Sequence, residues 1–114
     1  MARQFLPKRF KQRADFLRLA AQGRKLVKPG YVLQALQVAT QAAPVLGFTA
    51  TKKLGNAVIR NRAKRRLREA ARLVLAERTA DGAELVLVAR RETGDMDFAA
   101  LRQNLAQALD EVLP

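Results

Sequence analysis

The clearest pattern of apolar and polar positions lies in the middle of the chain, between residues 56 and 77. Apolar side chains recur there at three- and four-residue intervals and fall in one narrow sector of a helical wheel, which predicts an amphipathic α-helix. Gly55 is expected to end the preceding segment. Asn56 is a good helix N-cap, because its side chain accepts a hydrogen bond from the first turn. The pattern predicts a long helix from about Asn56 to Glu77, with an apolar side made of Ile59, Ala63, Leu67, Ala70 and Val74.

Three other segments predict β-strands. Val45 to Thr51 alternates with a period of two, so its even-numbered residues are expected to face the core, while Thr49 and Thr51 face the other way. Leu85 to Ala89 is a continuous apolar run, typical of a strand that is buried on both faces. Tyr31 to Ala39 is broadly apolar and is the third predicted strand. A strand, a helix and a second strand in succession imply a crossover connection between two parallel strands.

Two further helices are predicted near the ends of the chain. Asp15 is a suitable N-cap for a helix from Phe16 to Gln22, which Gly23 ends at its C′ position. Arg24 to Pro29 is then predicted to be a basic connector. The last helix begins after residues 94–97, with an Asp as its N-cap, and its apolar stripe is expected to pack in the core. This stripe consists of Phe98, Leu101, Leu105, Ala108, Leu109 and Val112.

These elements predict one domain over residues 1–114, with an α+β fold of the α/β-sandwich type. Their order is helix, two or three strands, long basic helix, strand and helix, and the helices pack on a single small mixed sheet. Residues 1–13 are basic and predict either a partly ordered N-terminal arm or a frayed terminus. A chain of 114 residues is long enough to bury a core without disulfides, and it contains no Cys.

Positive charge is concentrated in the first part of the chain. Residues 1–68 contain 17 Lys and Arg but one acid, for a net charge of +16, whereas residues 69–114 carry a net charge of −4. No acid occurs from Lys52 to Arg68, so like charges at i,i+4 spacing repel one another on the predicted helix. A charge run is often only a solvated face, but unrelieved repulsion favours a polyanionic partner such as a phosphate backbone. The polar side of the helix contains Asn61, Arg62, Lys64, Arg65, Arg68 and Arg72.

The same stretch resembles the signature of the bacterial ribonuclease P protein family, Lys-Lys-x-Gly-x-Ala-Val-x-Arg-Asn-Arg-x-Lys-Arg-x-x-Arg-Glu. The matching residues are Lys52, Lys53, Gly55, Ala57, Val58, Arg60, Asn61, Arg62, Lys64, Arg65, Arg68 and Glu69. The resemblance implies a protein subunit that assists a catalytic RNA in the endonucleolytic removal of the 5′ leader from precursor tRNA. It implies that the active site and its Mg²⁺ belong to the RNA subunit. It also implies a left-handed β-α-β crossover, although such connections are usually right-handed.

Two sets of binding residues are predicted. The first set is expected to dock on the catalytic RNA or on adjacent phosphates, and consists of Lys52, Lys53, Asn56, Arg60, Asn61, Arg62, Lys64, Arg65 and Arg68. The second set is a cleft for the single-stranded leader, and consists of Phe16, Thr49, Thr51, Arg60 and Asn61. The resemblance implies that an aromatic residue at the position of Phe16 stacks on RNA. A threonine hydroxyl beside the basic helix can form a hydrogen bond with a phosphate or a sugar.

Several of these residues also have plainer interpretations. Phe16 could be a core residue, and the two threonines could reflect β-propensity alone. Tyr31 is either a cleft residue or a sheet-edge residue. Arg90 and Arg91 follow the last predicted strand, and they either join the basic surface or are merely solvated.

The sequence contains no constellation that would activate a nucleophile. It has no His and no Cys, and most of its acids are dispersed along the second half. We therefore predict no catalytic residue, no metal site and no cofactor bound by the protein alone, and no small-molecule substrate. No apolar run approaches the roughly 20 residues that span a membrane, and no signal peptide is evident, so the cytoplasm is the expected location.

Other kinds of protein share some of these features. A non-enzymatic RNA-binding module, such as a ribosome-associated protein, has the same composition. A DNA-binding helix is disfavoured because a strand, not a helix, precedes the basic helix. A membrane-surface helix is disfavoured because the apolar side lacks Trp and Phe anchors.

Overall fold

The computed structural model of the chain describes residues 8–10, 12–38, 43–78 and 80–113. Within these ranges it contains three α-helices: α1 (Arg13–Gln22), α2 (Ala57–Leu75) and α3 (Phe98–Val112). The strands in the same ranges are β1 (Lys8–Arg9), β2 (Arg24–Lys28), β3 (Tyr31–Gln37), β4 (Val45–Ala50) and β5 (Ala83–Ala89). Short 3-10 turns at Lys52–Leu54 and Arg91–Gly94 precede α2 and α3.

The strands form one mixed sheet in the order β1-β4-β5-β3-β2. Strands β4 and β5 are parallel and are joined through α2, as predicted. Strand β3 is antiparallel to both of its neighbours, β5 and β2. The predicted α+β sandwich is therefore confirmed, with three strands between the first helix and the basic helix.

The predicted basic connector at Arg24 to Pro29 is wrong, because Arg24–Lys28 forms strand β2. A two-residue turn joins β2 to β3, and its second residue, Gly30, has a φ of 87°, a conformation that other residues rarely adopt. Strand β2 lies at the edge of the sheet, where charged side chains are common because they discourage pairing with other chains. Because three of its five residues are charged, the strand does not appear as an apolar run in the sequence.

The first helix also differs from its prediction. It begins at Arg13 rather than after Asp15, and its N-cap, Gln12, makes no side-chain capping hydrogen bond. Asp15 lies in the first turn, 3.5 Å from Arg18, where a negative charge favours the helix dipole. Strand β1, which pairs with β4, lies in the predicted N-terminal arm.

Helices α2 and α3 pack on one face of the sheet, which we call the closed face. Its core contains Leu33, Leu46, Leu85 and Leu87 from the strands, Leu67 and Val74 from α2, and Leu101, Leu105 and Leu109 from α3. Tyr31 belongs to this core and is fully buried, and its hydroxyl donates a hydrogen bond to Asn104 Oδ1 at 2.8 Å. Both predicted roles for Tyr31, in the cleft or at the sheet edge, are therefore wrong.

Helix α1 packs on the opposite face, which we call the open face. Leu19 of α1 and Val86 of β5 are buried there. Arg18 fixes the helix to the sheet, because its guanidinium donates two hydrogen bonds to the Glu84 carboxylate, at 2.6 and 3.0 Å. A pair of parallel hydrogen bonds of this kind restrains orientation as well as distance. Helix α1 is therefore held in one position above β5.

Candidate nucleic-acid interface

The first turn of α2 has the cap that the sequence predicts. The Asn56 side chain accepts a hydrogen bond from the Ile59 backbone N–H at 3.0 Å. Gly55, at a φ of 140°, links this cap to the 3-10 turn in which Lys52 and Lys53 are exposed. The chain therefore passes from β4 through two exposed lysines directly into the basic helix.

The basic side chains of α2 are not equivalent. Arg62 and Arg65 are exposed, as is Asn61, whereas Lys64 and Arg68 are half-buried. The Arg68 guanidinium lies 5.9 Å from the centre of the Phe48 ring, so this side of the helix leans over β4. On α2, the exposed residues of the first predicted set are therefore Asn61, Arg62 and Arg65.

The one acid in the basic element is part of a local ion pair. Glu69 accepts hydrogen bonds from the Arg72 guanidinium, one of them at 3.2 Å. These hydrogen bonds keep the pKa of Glu69 below its ordinary value, so the carboxylate stays ionised. Arg72 is consequently neutralised by its neighbour, whereas Arg65, about two turns earlier, forms no ion pair with another residue of the described ranges.

Arg90 and Arg91 join the basic surface. Both are exposed and line two adjoining depressions of about 270 and 360 Å³, between the β5–α3 loop and the start of α2. Arg62 lines the first depression and Lys53 the second. The sequence left the role of the two arginines open, and the fold decides it because the carboxyl ends of the parallel strands β4 and β5 lie side by side.

A strip of the open face has little cover. Cross-strand pairing aligns Val27, Val32, Val88 and Thr49 in one row across four strands, and we call these four residues the open strip. Val27 is 60% exposed, and the other three are partly exposed. Leu17 of α1, on the same face of the sheet, is 56% exposed. An apolar row of this kind suits a flat ligand that stacks on it.

Phe16 lies at the margin of the open strip. The row next to the strip contains Gly47 and Val86, and a Cβ atom at Gly47 would come within 2.6 Å of the Phe16 ring and 2.9 Å of the Phe10 ring. The two rings meet edge to face, with their centroids 5.7 Å apart. Glycine at this position therefore allows two aromatic rings to rest directly on β4. Phe10 was not among the predicted cleft residues.

Comparisons with known proteins place the chain in a family. A family model for ribonuclease P matches residues 6–113. The ribonuclease P protein component of Gluconacetobacter diazotrophicus is 50% identical over 101 residues, which cover 89% of this chain and 87% of that protein. The chain belongs to the ribonuclease P protein family.

Solved structures agree with this assignment. The Staphylococcus aureus RNase P protein has a TM-score of 0.76 at 27% identity, covering 93% of this chain and 95% of that one. The Thermotoga maritima RNase P protein also has a TM-score of 0.76, at 25% identity, covering 94% and 99%. The ribonuclease P protein is a subunit of a ribonucleoprotein endoribonuclease, so an RNA subunit is an implied partner of this chain.

In this member of the ribonuclease P protein family, the predicted cleft residues occupy two sides of the sheet. Phe16 and Thr49 lie on the open face, and Thr51 is exposed just beyond the end of β4. Arg60 and Asn61 belong to α2, which packs on the closed face. Arg60 is half-buried, and its buried Nε atom has no hydrogen-bond partner in the described part of the chain.

The described residues contain no group of three or more His, Cys, Asp and Glu side chains that could hold a metal ion. None of the helices in the same ranges is long and apolar enough to cross a membrane.

Proposed function

We propose that this chain assists the catalytic RNA of ribonuclease P by two separate surfaces. The exposed side of α2, with Lys52, Lys53, Arg62 and Arg65, docks on the RNA subunit or on adjacent phosphates. The open strip, with Phe16 at its margin, holds the single-stranded 5′ leader of precursor tRNA. The observation that carries this proposal is that a positive surface and an uncovered apolar strip lie close to the same end of strand β4.

The open strip suits single-stranded RNA for a physical reason. The bases of a single strand are free to stack on apolar and aromatic side chains, whereas the bases of a duplex are already stacked. Stacking contributes about 1–3 kcal/mol per base and accepts any base. A leader differs in sequence from one precursor tRNA to the next, so a sequence-tolerant surface is the kind that this substrate needs.

Arg90, Arg91 and Lys53 extend the proposal. Together with Thr51 they line one depression, at the carboxyl ends of β4 and β5. A leader that leaves the open strip at this end meets their charges, which would neutralise its phosphates. Lys53, Arg90 and Arg91 would in this way guide the leader from the strip towards the basic helix.

The protein's contribution is positional and electrostatic. We assign the cleavage step and its Mg²⁺ to the RNA subunit, because the ribonuclease P protein is one subunit of a ribonucleoprotein enzyme. Lys and Arg side chains that neutralise phosphates reduce the repulsion between the two RNAs. The protein is therefore expected to lower the Mg²⁺ concentration that substrate binding and cleavage require.

The test is cleavage of precursor tRNA at low Mg²⁺ by a bacterial catalytic RNA subunit, with and without this protein. Faster cleavage with the protein, and none by the protein alone, is the expected result. Tight RNA binding without faster cleavage would instead favour a non-enzymatic RNA-binding module. Cleavage by the protein alone would contradict the assignment of chemistry to the RNA.

Salt dependence gives a second measurement of the same proposal. Contact with about six phosphates of a single strand makes the logarithm of the affinity fall with the logarithm of the salt concentration at a slope of about −4. A slope near zero would refute binding through phosphates.

A further inference from the structure

Arg66 belongs to the basic run of α2 but makes contacts of another kind. Its Nε–H donates a hydrogen bond to the Thr93 carbonyl oxygen at 3.1 Å, and a second guanidinium N–H donates to the Met96 carbonyl oxygen. The guanidinium also lies 5.8 Å from the centre of the Phe98 ring. Three contacts thus direct this charge towards the β5–α3 loop, not towards solvent.

Thr93 holds the same loop from the other side. It is a fully buried polar residue, and its hydroxyl donates to the Gly30 carbonyl oxygen in the β2–β3 turn. The hydroxyl also accepts a hydrogen bond from the Arg90 backbone N–H at 2.9 Å. The Thr93 N–H in turn donates to the Arg90 carbonyl oxygen at 3.1 Å. The loop is therefore fastened to α2 by Arg66 and to the hairpin by Thr93.

We propose that Arg66 is a positioning residue, which sets Arg90 and Arg91 in the RNA-binding surface and does not itself contact RNA. The inference rests on the proposed function, because it assumes that the surface around these two arginines binds phosphates. The positions of the groups support it. Arg66 reaches the backbone of the loop, whereas Arg90 and Arg91 at the start of that loop are exposed beside Arg62.

Arg66 and Thr93 together clamp the β5–α3 loop, and this clamp has a clear physical purpose. Lys53, Arg62, Arg90 and Arg91 line adjoining depressions, so their charges repel one another when no RNA is present. A loop held only by its own ends would move to separate the charges. A guanidinium suits the clamp because its planar group can donate to two carbonyl oxygens at once, whereas a lysine ammonium acts as a point charge.

The experiment is a double-mutant cycle with the enzyme reconstituted from a bacterial catalytic RNA subunit and this protein. The single variant is Arg66→Ala, and the pair Arg90→Ala and Arg91→Ala is treated as one change. The affinity for precursor tRNA is measured for each protein over a range of salt concentrations, after thermal melts have established that each is folded. Arg65→Ala is the matched control, because Arg65 is the exposed neighbour of Arg66.

We expect Arg66→Ala and the double change each to weaken binding roughly 10-fold, since both remove the phosphate contacts of Arg90 and Arg91. In the background that lacks Arg90 and Arg91, Arg66→Ala should change the affinity less than about 2-fold, because its effect passes through those residues. Arg65→Ala should add fully to the double change. Arg66→Lys should recover part of the lost affinity.

Thr93→Val provides the decisive arm because it removes the hydroxyl without removing charge. A positioning clamp predicts that this variant flattens the salt slope, by up to about 0.7 for each phosphate contact that is lost. Additive effects of Arg66 and the pair, with a normal slope for Thr93→Val, would mean that Arg66 contacts RNA directly. If Arg66→Ala and Thr93→Val lowered stability but left the affinity unchanged, the clamp would have only a structural role. Either result overturns the inference, and failure of the unmodified protein to bind would count against the proposed function instead.

Discussion

The two faces of the sheet differ in how completely they are covered. Two helices cover the closed face. Tyr31 and Leu33 of β3 are fully buried there, as is Leu105 of α3. On the open face, α1 covers only part of the sheet, and Val27 and Leu17 remain more than half exposed. The strip that α1 leaves uncovered buries little apolar surface and contributes less to stability than the closed face does. The second face is therefore free to bind a ligand.

The same contrast recurs among the charges of α2. Arg65 and Arg66 are adjacent in sequence, but Arg65 is exposed and Arg66 is hydrogen-bonded to the backbone of the β5–α3 loop. Arg72 is paired with Glu69. A run of basic residues thus contains some that are available to phosphates and others that hold the fold together. Each of the following predictions tests whether a given residue stabilises the fold or binds RNA.

The largest effect is expected from a cavity in the closed face. Leu105→Ala removes a fully buried side chain of α3, and should lower the free energy of unfolding by about 2–5 kcal/mol. Leu17→Ala on the open face should lower it by less than about 0.5 kcal/mol, because Leu17 is mostly exposed. Urea denaturation measures both values. Equal losses would mean that the open face also stabilises the fold.

The second-largest effect is expected on RNA affinity when Phe16 is changed. Phe16→Leu should weaken the affinity for precursor tRNA by about 1–3 kcal/mol for each base that stacks on the ring. The affinity for mature tRNA, which has no leader, should not change. Val112→Ala is the control for a loss of packing, since Val112 is partly buried against the core of the closed face. The same loss of affinity in both variants would argue against a leader site at Phe16.

A smaller effect is expected for single charges on α2. Arg65→Ala should reduce the steepness of the salt dependence of RNA binding by about 0.7, the value for one phosphate contact on a single strand. Arg72→Ala should change it less, because Glu69 already neutralises Arg72. Binding measured at four or more salt concentrations gives both slopes. If both variants kept the slope of the unmodified protein, the exposed side of α2 would not be part of the interface.

The smallest effect at neutral pH is expected at Tyr31, the chain's single tyrosine. Burial raises the pKa of its phenol above the ordinary value, because the charged form loses its hydration. The unfolded chain releases this proton near pH 10 but the folded protein does not, so stability should be unaffected at neutral pH and should fall as the pH rises above about 10. Ultraviolet absorbance of the phenolate follows the titration. Ionisation at the ordinary pKa would place Tyr31 outside the closed core.

The sequence predicted the parts of the fold that depend on local pattern. The Asn56 cap, the parallel connection through α2 and the stripe of α3 all follow from periodicity and capping, and the structure confirms them. Strand β2 was missed because edge strands carry charges that resemble those of a loop. The hand of the β4–α2–β5 crossover stays a prediction from the family resemblance.

The site was less predictable because it depends on contacts between distant residues. Val27, Val32 and Val88 belong to three strands, and only their pairing aligns them with Thr49. The predicted polar side of α2 contains Arg65 and leaves out Arg66. The hydrogen bonds of Arg66 could not be predicted, because they depend on where the β5–α3 loop packs. The two sets of predicted binding residues themselves stay predictions, which the experiments above address.

The most direct test of the account is site-specific crosslinking between the open strip and the leader. The chain has no Cys, so Val27→Cys provides a single attachment point for a photoreactive group. Gln103→Cys is the matched control, because Gln103 is exposed on α3, on the other side of the sheet. With precursor tRNA and the catalytic RNA, the account predicts crosslinks from residue 27 to the leader and none from residue 103. Leader crosslinks from residue 103 but not from residue 27 would contradict it.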